Sequence, residues 1–146
     1  MLSQYLKNNV HFLNSVPTWE EAIKLAAEPL LNKGNITEKY VQDMIQNVNV
    51  NGPYIVIVPG IAMPHAQNHD GGVLKTGISF LKLKEPVFFP EEKDVNILFV
   101  LAAEDTTGHL ELISDLSSLL IDEDAMVKFK EASSESEIIE LIESVE

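Results

Sequence analysis

Val95-Asn96-Ile97-Leu98-Phe99-Val100-Leu101-Ala102 is an apolar run rich in β-branched and aromatic side chains. It is far too short to cross a bilayer, and it reads as a strand covered on both faces. From Leu110 to Ile121 the spacing turns helical, through Ile113, Leu116, Ser117 and Leu120. A buried strand that feeds an amphipathic helix predicts a layered α/β domain. Upstream, Tyr54-Ile55-Val56-Ile57-Val58 predicts a second strand covered on both faces. Thr76 to Leu83 alternates as a further strand, and Pro86 to Phe89 and Val10 to Leu13 predict short edge pieces.

Helices precede and follow these strands. Thr18-Trp19-Glu20-Glu21 is a capping box with Thr18 as N-cap. Trp19, Ile23, Ala26, Ala27, Leu30 and Leu31 continue at helical spacing until Lys33-Gly34, with a bend expected at Pro29. Thr37 opens a second helix whose apolar face is Tyr40, Val41, Met44, Ile45 and Val48, and Ile138, Leu141, Ile142 and Val145 predict a last one. Pro90-Glu91-Glu92-Lys93-Asp94 and Asp122-Glu123-Asp124 read as solvated loops. No repeat or low-complexity linker interrupts the pattern, so one domain is expected over residues 1–146.

Composition narrows the function classes. Ten lysines face 23 Asp and Glu for a net charge of −13, and there is no arginine. Such a surface repels phosphate backbones, which argues against nucleic acid as a partner. Cysteine is absent, which excludes disulfides, thiol catalysis and thiolate metal sites. Residues 1–9 carry no apolar leader and no run suits a membrane span, so a cytoplasmic location is the expectation. The glycines match no Walker or dinucleotide pattern.

Chemistry concentrates in the long gap between Pro59 and Lys75, because long loops in small domains tend to be functional. Pro59-Gly60-Ile61-Ala62-Met63-Pro64-His65-Ala66 holds one histidine between two prolines, a glycine and small alanines. That composition fixes the backbone while leaving the ring open to a partner. The plainer alternative is a surface histidine among turn residues. His109 stands just past the buried strand, where α/β sheets place ligands and where a helix N-terminus favours anions. Taken alone, it reads more readily as a partly exposed first-turn residue. His65 and His69 have a spacing that suits zinc on a helix, but Pro64 and Asp70-Gly71-Gly72 argue against a helix there. Lys75 opens a strand and would screen an anion near His65 or simply face solvent, and His11 carries no signal beyond structure.

At Gly60-Ile61-Ala62-Met63-Pro64-His65-Ala66, with His109 placed downstream, the chain resembles the mannitol–fructose type IIA components of the bacterial sugar phosphotransferase system. The likeness runs from Thr18-Trp19-Glu20-Glu21-Ala22 to the C-terminal helix. Gly52-Pro53-Tyr54, Lys75-Thr76-Gly77, Leu83-Lys84-Glu85-Pro86 and Ala102-Ala103-Glu104-Asp105 look most like the L-ascorbate branch. This resemblance implies a three-layer fold with a mixed five-stranded sheet flanked by helices. It also implies a phosphoryl carrier that takes phosphate from the phosphocarrier protein HPr and gives it to a cognate IIB component, serving a IIC permease indirectly. His65 would be the phosphorylated nucleophile and His109 would stabilise the phosphoryl group, with Thr106, Thr107 and Lys75 assisting. No cofactor or metal is expected, and no insertion into a membrane. Mannitol-like members carry an arginine ahead of the segment, which this chain lacks. Two alternatives stay open: a regulatory module that uses the same histidine, and a small metal-dependent hydrolase built on His65, His69 and His109.

Overall fold

A computed structural model describes residues 2–67 and 71–145. Along the chain it forms α1 (Leu2–Leu6), β1 (Val10–Leu13), α2 (Trp19–Asn32), α3 (Glu38–Asn51), β2 (Val56–Val58) and β3 (Gly60–Ala62). Then follow β4 (Gly77–Phe89), a 3-10 turn (Pro90–Glu92), β5 (Lys93–Ala102), α4 (Thr106–Leu120), α5 (Glu123–Glu131) and α6 (Glu135–Val145). The sheet runs β1-β4-β5-β3-β2. It is mixed: β1 lies parallel to β4 and β3 parallel to β5, while β4/β5 and β2/β3 are antiparallel. The expected five-stranded α/β fold is therefore present.

β5 is the central strand, and from Ile97 onward its successive side chains meet opposite helical layers. Val95, Leu98, Val100 and Ala102 pack with Ile23, Leu30, Tyr40 and Met44 from α2 and α3. Ile97, Phe99 and Leu101 face Leu6, Leu116, Phe129 and Ile142 from α1, α4, α5 and α6. Phe99 meets Phe80 and Phe129 edge-on, at centroid distances of 5.0 and 5.7 Å. Truncating a buried phenylalanine of this kind to alanine costs about 3–5 kcal/mol.

Local chemistry sets the helix ends as read. Thr18 accepts the Glu21 N–H and Thr37 accepts the Tyr40 N–H. α2 runs on through Pro29 to Asn32, and Gly34 turns the chain away at φ 77°. Elsewhere the structure corrects the sequence reading. Only Val56–Val58 of the 54–58 run is strand, and it lies at the sheet edge with Ile57 40% exposed. An apolar run alone does not distinguish an edge from a centre. Residues 86–89 are not a separate edge piece but the end of β4, whose register against β5 shifts between Lys82 and Val87. The shift accommodates Pro86, which has no N–H for the ladder. Asp122 is not a loop residue in function: it caps α5 by accepting the Ala125 N–H, with Glu123 and Asp124 in the favourable first turn. The gap after Pro59 is shorter than expected, since Gly60–Ala62 forms β3.

Candidate functional site

Parallel β3 and β5 end at the same edge of the sheet, and each passes directly into a histidine-bearing segment. After Ala62 the chain continues as Met63-Pro64-His65-Ala66 and is tied down at every step. The Met63 N–H donates to the Ile55 carbonyl at 2.9 Å, and the Pro64 carbonyl accepts the Leu101 N–H at 3.0 Å. The Ala66 N–H donates to the Tyr40 hydroxyl at 3.1 Å. Proline at position 64 suits this arrangement, because a main-chain N–H there would be one more donor to satisfy.

The His65 ring is half-buried, and its Nδ1 lies 2.6 Å from the Met63 carbonyl. A carbonyl only accepts, so Nδ1 carries the proton and Nε2 carries the lone pair in the neutral ring. Burial lowers the ring's pKa below its ordinary 6.5, opposed in part by the Met63 bond. His109 sits in the first turn of α4. Asp105 caps that helix, accepting the Gly108 N–H at 2.7 Å, and its carbonyl accepts the His109 N–H at 3.0 Å. The two imidazole centroids are 5.2 Å apart at 57°. Burial and the neighbouring His65 both hold the His109 pKa down as well. Tyr54 meets His65 edge-on at 5.8 Å, and burial raises the pKa of its phenol.

These rings open on a cleft of about 650 Å³. Its wall is rich in carboxamides from Gln46, Asn47, Asn51 and Gln67. Lys39 also lines it and forms a 3.2 Å ion pair with Asp43 one turn away. The site is thus an unprotonated ring nitrogen beside a second imidazole, in a polar cleft of little net charge. Such a nitrogen can attack an electrophile, and the second ring can donate a hydrogen bond to the oxygens that arrive with it.

Of the residues singled out from the sequence, His65 and His109 come together. Thr106 and Thr107 are exposed in the first turn of α4, and Lys75 is exposed just ahead of β4. None of these three lines the cleft. His11 is on edge strand β1, paired with Leu81. His69 lies outside the described residues, and among those described no three His, Asp or Glu side chains gather as metal ligands would. Sequence reasoning missed Lys39, Asp43, Gln46, Asn47 and Tyr54. A signal existed for most of them: residues 39, 43, 46 and 47 follow one polar stripe of α3 beside its apolar face.

Similarity to known proteins is consistent with this geometry. The family described as "Phosphoenolpyruvate-dependent sugar phosphotransferase system, EIIA 2" matches residues 4–145. The mannitol-specific cryptic phosphotransferase enzyme IIA component of Escherichia coli (strain K12) is 36% identical over 143 residues, covering 97% of each chain. The ascorbate-specific PTS system EIIA component of the same organism is 36% identical over 129 residues, covering 86% of this chain and 83% of that one. A solved complex of enzyme IIA mannitol with phosphorylated enzyme IIB mannitol from Escherichia coli superposes with a TM-score of 0.81 at 29% identity. It covers 93% of this chain and 94% of that one.

Proposed function

Because the chain belongs to the EIIA 2 family of the phosphoenolpyruvate-dependent sugar phosphotransferase system, we propose that His65 is its phosphoryl-carrying residue and that Nε2 is the atom that carries it. The observation that carries this reading is the Nδ1–Met63 bond, which commits the proton to one nitrogen and leaves the other free beside His109. In the proposed step Nε2 attacks the phosphorus of phospho-HPr in line, and the P–N bond to HPr breaks as the new one forms. The transition state is loose, so the protein's work is positioning and stabilising charge on the transferring oxygens. His109 donates a hydrogen bond to one of those oxygens. The depressed pKa keeps His65 neutral at pH 7, the form that has a lone pair to give. In the second half-reaction a IIB component attacks the same phosphorus from the opposite side, His65 leaves, and a IIC permease is served downstream. Support for a IIB partner comes from the solved complex of the mannitol relative with its phosphorylated IIB.

Lys75, Thr106 and Thr107 have a lesser part in this proposal, as exposed donors outside the cleft lining that a docked partner would bring into use. For the sugar we propose L-ascorbate, on the stretches that look most like that branch. Two of them bear on the site: Gly52-Pro53-Tyr54 supplies the ring edge-on to His65, and Ala102-Ala103-Glu104-Asp105 leads into the cap of α4. Identity is 36% to both relatives, and the mannitol match spans more of each chain, so the ascorbate reading rests on those stretches alone. The test is reconstitution with phosphoenolpyruvate, enzyme I and HPr, followed by IIB and IIC components of each specificity. Label should reach the protein, be lost in His65→Ala, and pass on to ascorbate. Passage to mannitol alone would overturn the sugar; label retained in His65→Ala would overturn the site.

A further inference from the structure

The sequence places Tyr40 on the apolar face of α3, and its side chain is fully buried among Ile23, Leu30, Met44 and Ala102. Nevertheless its hydroxyl is at work. It lies 2.6 Å from the Leu101 carbonyl and 3.1 Å from both the Ala66 N–H nitrogen and the Ala66 carbonyl oxygen. A phenol has one proton, and the shorter contact takes it: Tyr40 donates to Leu101 and accepts from Ala66. Leu101 is the next-to-last residue of the strand that leads to His109, and Ala66 is the residue after His65. One hydroxyl on a third element therefore joins the two segments whose rings face each other. Burial holds this phenol protonated well beyond any physiological pH, so the donor is permanent.

We infer that Tyr40 is a positioning residue for phosphoryl transfer, whose hydroxyl sets the spacing of the His65 and His109 rings. The inference rests on the proposed role of His65 and names a residue that acts through it. Tyr40 touches no reacting atom. Without its oxygen the Ala66 N–H loses its acceptor and the Leu101 carbonyl loses its donor, both on buried residues where an unpaired polar group is costly. The Leu101–Pro64 bond still joins the two segments, but their second tie is gone and the 5.2 Å gap between the rings is held less firmly.

Tyr40→Phe keeps the ring in its apolar seat and removes only the oxygen. The test is a double-mutant cycle on the rate of phosphoryl uptake from phospho-HPr, with Tyr40→Phe made in the parent and in His109→Ala. Each protein is first checked as folded at the assay temperature by circular dichroism. Tyr40→Phe is expected to slow uptake about tenfold in the parent and less than about twofold when His109 is already gone. The imidazole signals of His65 and His109, followed by NMR across pH, should titrate less like a coupled pair in Tyr40→Phe than in the parent. An unchanged rate, or the same slowing in both backgrounds, would overturn the inference; so would unaltered histidine titrations. Should Tyr40→Phe not fold, the NMR comparison is made instead with Ala66→Gly, which loosens the same segment at the loss of only one buried methyl group. Unaltered titration there overturns the inference equally. Label surviving in His65→Ala would instead sink the proposed carrier role, so the two failures are distinguishable.

Discussion

The two histidines of the cleft are held in opposite ways. His65 follows a strand directly, its ring is tied through Nδ1 to a carbonyl two residues back, and its flanking backbone is bonded to three other segments. His109 rides on the first turn of a helix, and the side chain capping that turn is one exposed carboxylate, Asp105. The contrast teaches that a nucleophile and a helper need different kinds of rigidity. An attacking atom must have its lone pair and direction fixed before the donor arrives, because misplacement is costly in rate. A hydrogen-bond donor on a helix end can follow the oxygens of an incoming phosphoryl group.

If that division is right, substitutions at the two positions should differ in kind. His65→Ala should abolish phosphoryl uptake from phospho-HPr while leaving the melting temperature near that of the parent, measured by radiolabel and by circular dichroism. His109→Ala should leave uptake detectable but slow it by about 10²-fold, the scale on which a single oxyanion donor acts. Equal losses at both positions would erase the contrast. Asp105→Ala removes the cap of α4 and should cost about 1 kcal/mol of stability. Its effect on uptake should be smaller than that of His109→Ala, since the ring stays present on a frayed turn.

Acid should expose the same contrast through protonation. Both rings have pKa values below 6.5 in the folded state. Below 6.5 the unfolded chain therefore binds more protons than the folded one, and stability falls with falling pH until the folded values are passed. Above 6.5 this contribution is complete and flat. Uptake should likewise hold constant from pH 8 to 7 and fall only below the ordinary histidine range, because His65 must be neutral to attack. His65→Ala should reduce this slope, both by removing its own titration and by relieving its effect on His109. The smallest effect expected is from chelation: with preformed phospho-HPr as donor, EDTA should leave the rate unchanged, and dependence on a metal would favour the hydrolase alternative.

Much of this molecule was legible in its sequence, and the exceptions have physical causes. β5, α2 and α3 announce themselves because a doubly covered strand and capped amphipathic helices carry their burial in their own spacing. The 54–58 run misled because its apolar character does not encode which neighbour it lacks: β2 has a strand on one side only. β4 looked like two pieces because Glu85-Pro86 breaks the alternation, whereas the fold absorbs the break as a register shift. α1 was not foreseen, since five residues offer too short a window for any period, and Leu2 and Leu6 are buried by tertiary contact. At the site, His65 and His109 stood out by their neighbours in sequence. Tyr40 did not, because an aromatic residue on an apolar face gives no sign that its hydroxyl will meet two backbones more than twenty-five residues away. Asn47 and Tyr54 needed the packing of α3 against the loop before β2 to become neighbours of the cleft.

The most direct measurement is to phosphorylate the protein with phosphoenolpyruvate, enzyme I and HPr and locate the phosphate. Peptide mapping gives the residue, and long-range proton–nitrogen NMR of the imidazole gives the atom. The account predicts a single acid-labile phosphate on Nε2 of His65, with Nδ1 still protonated against the Met63 carbonyl. Phosphate on Nδ1, or on His109 or any other residue, would contradict it.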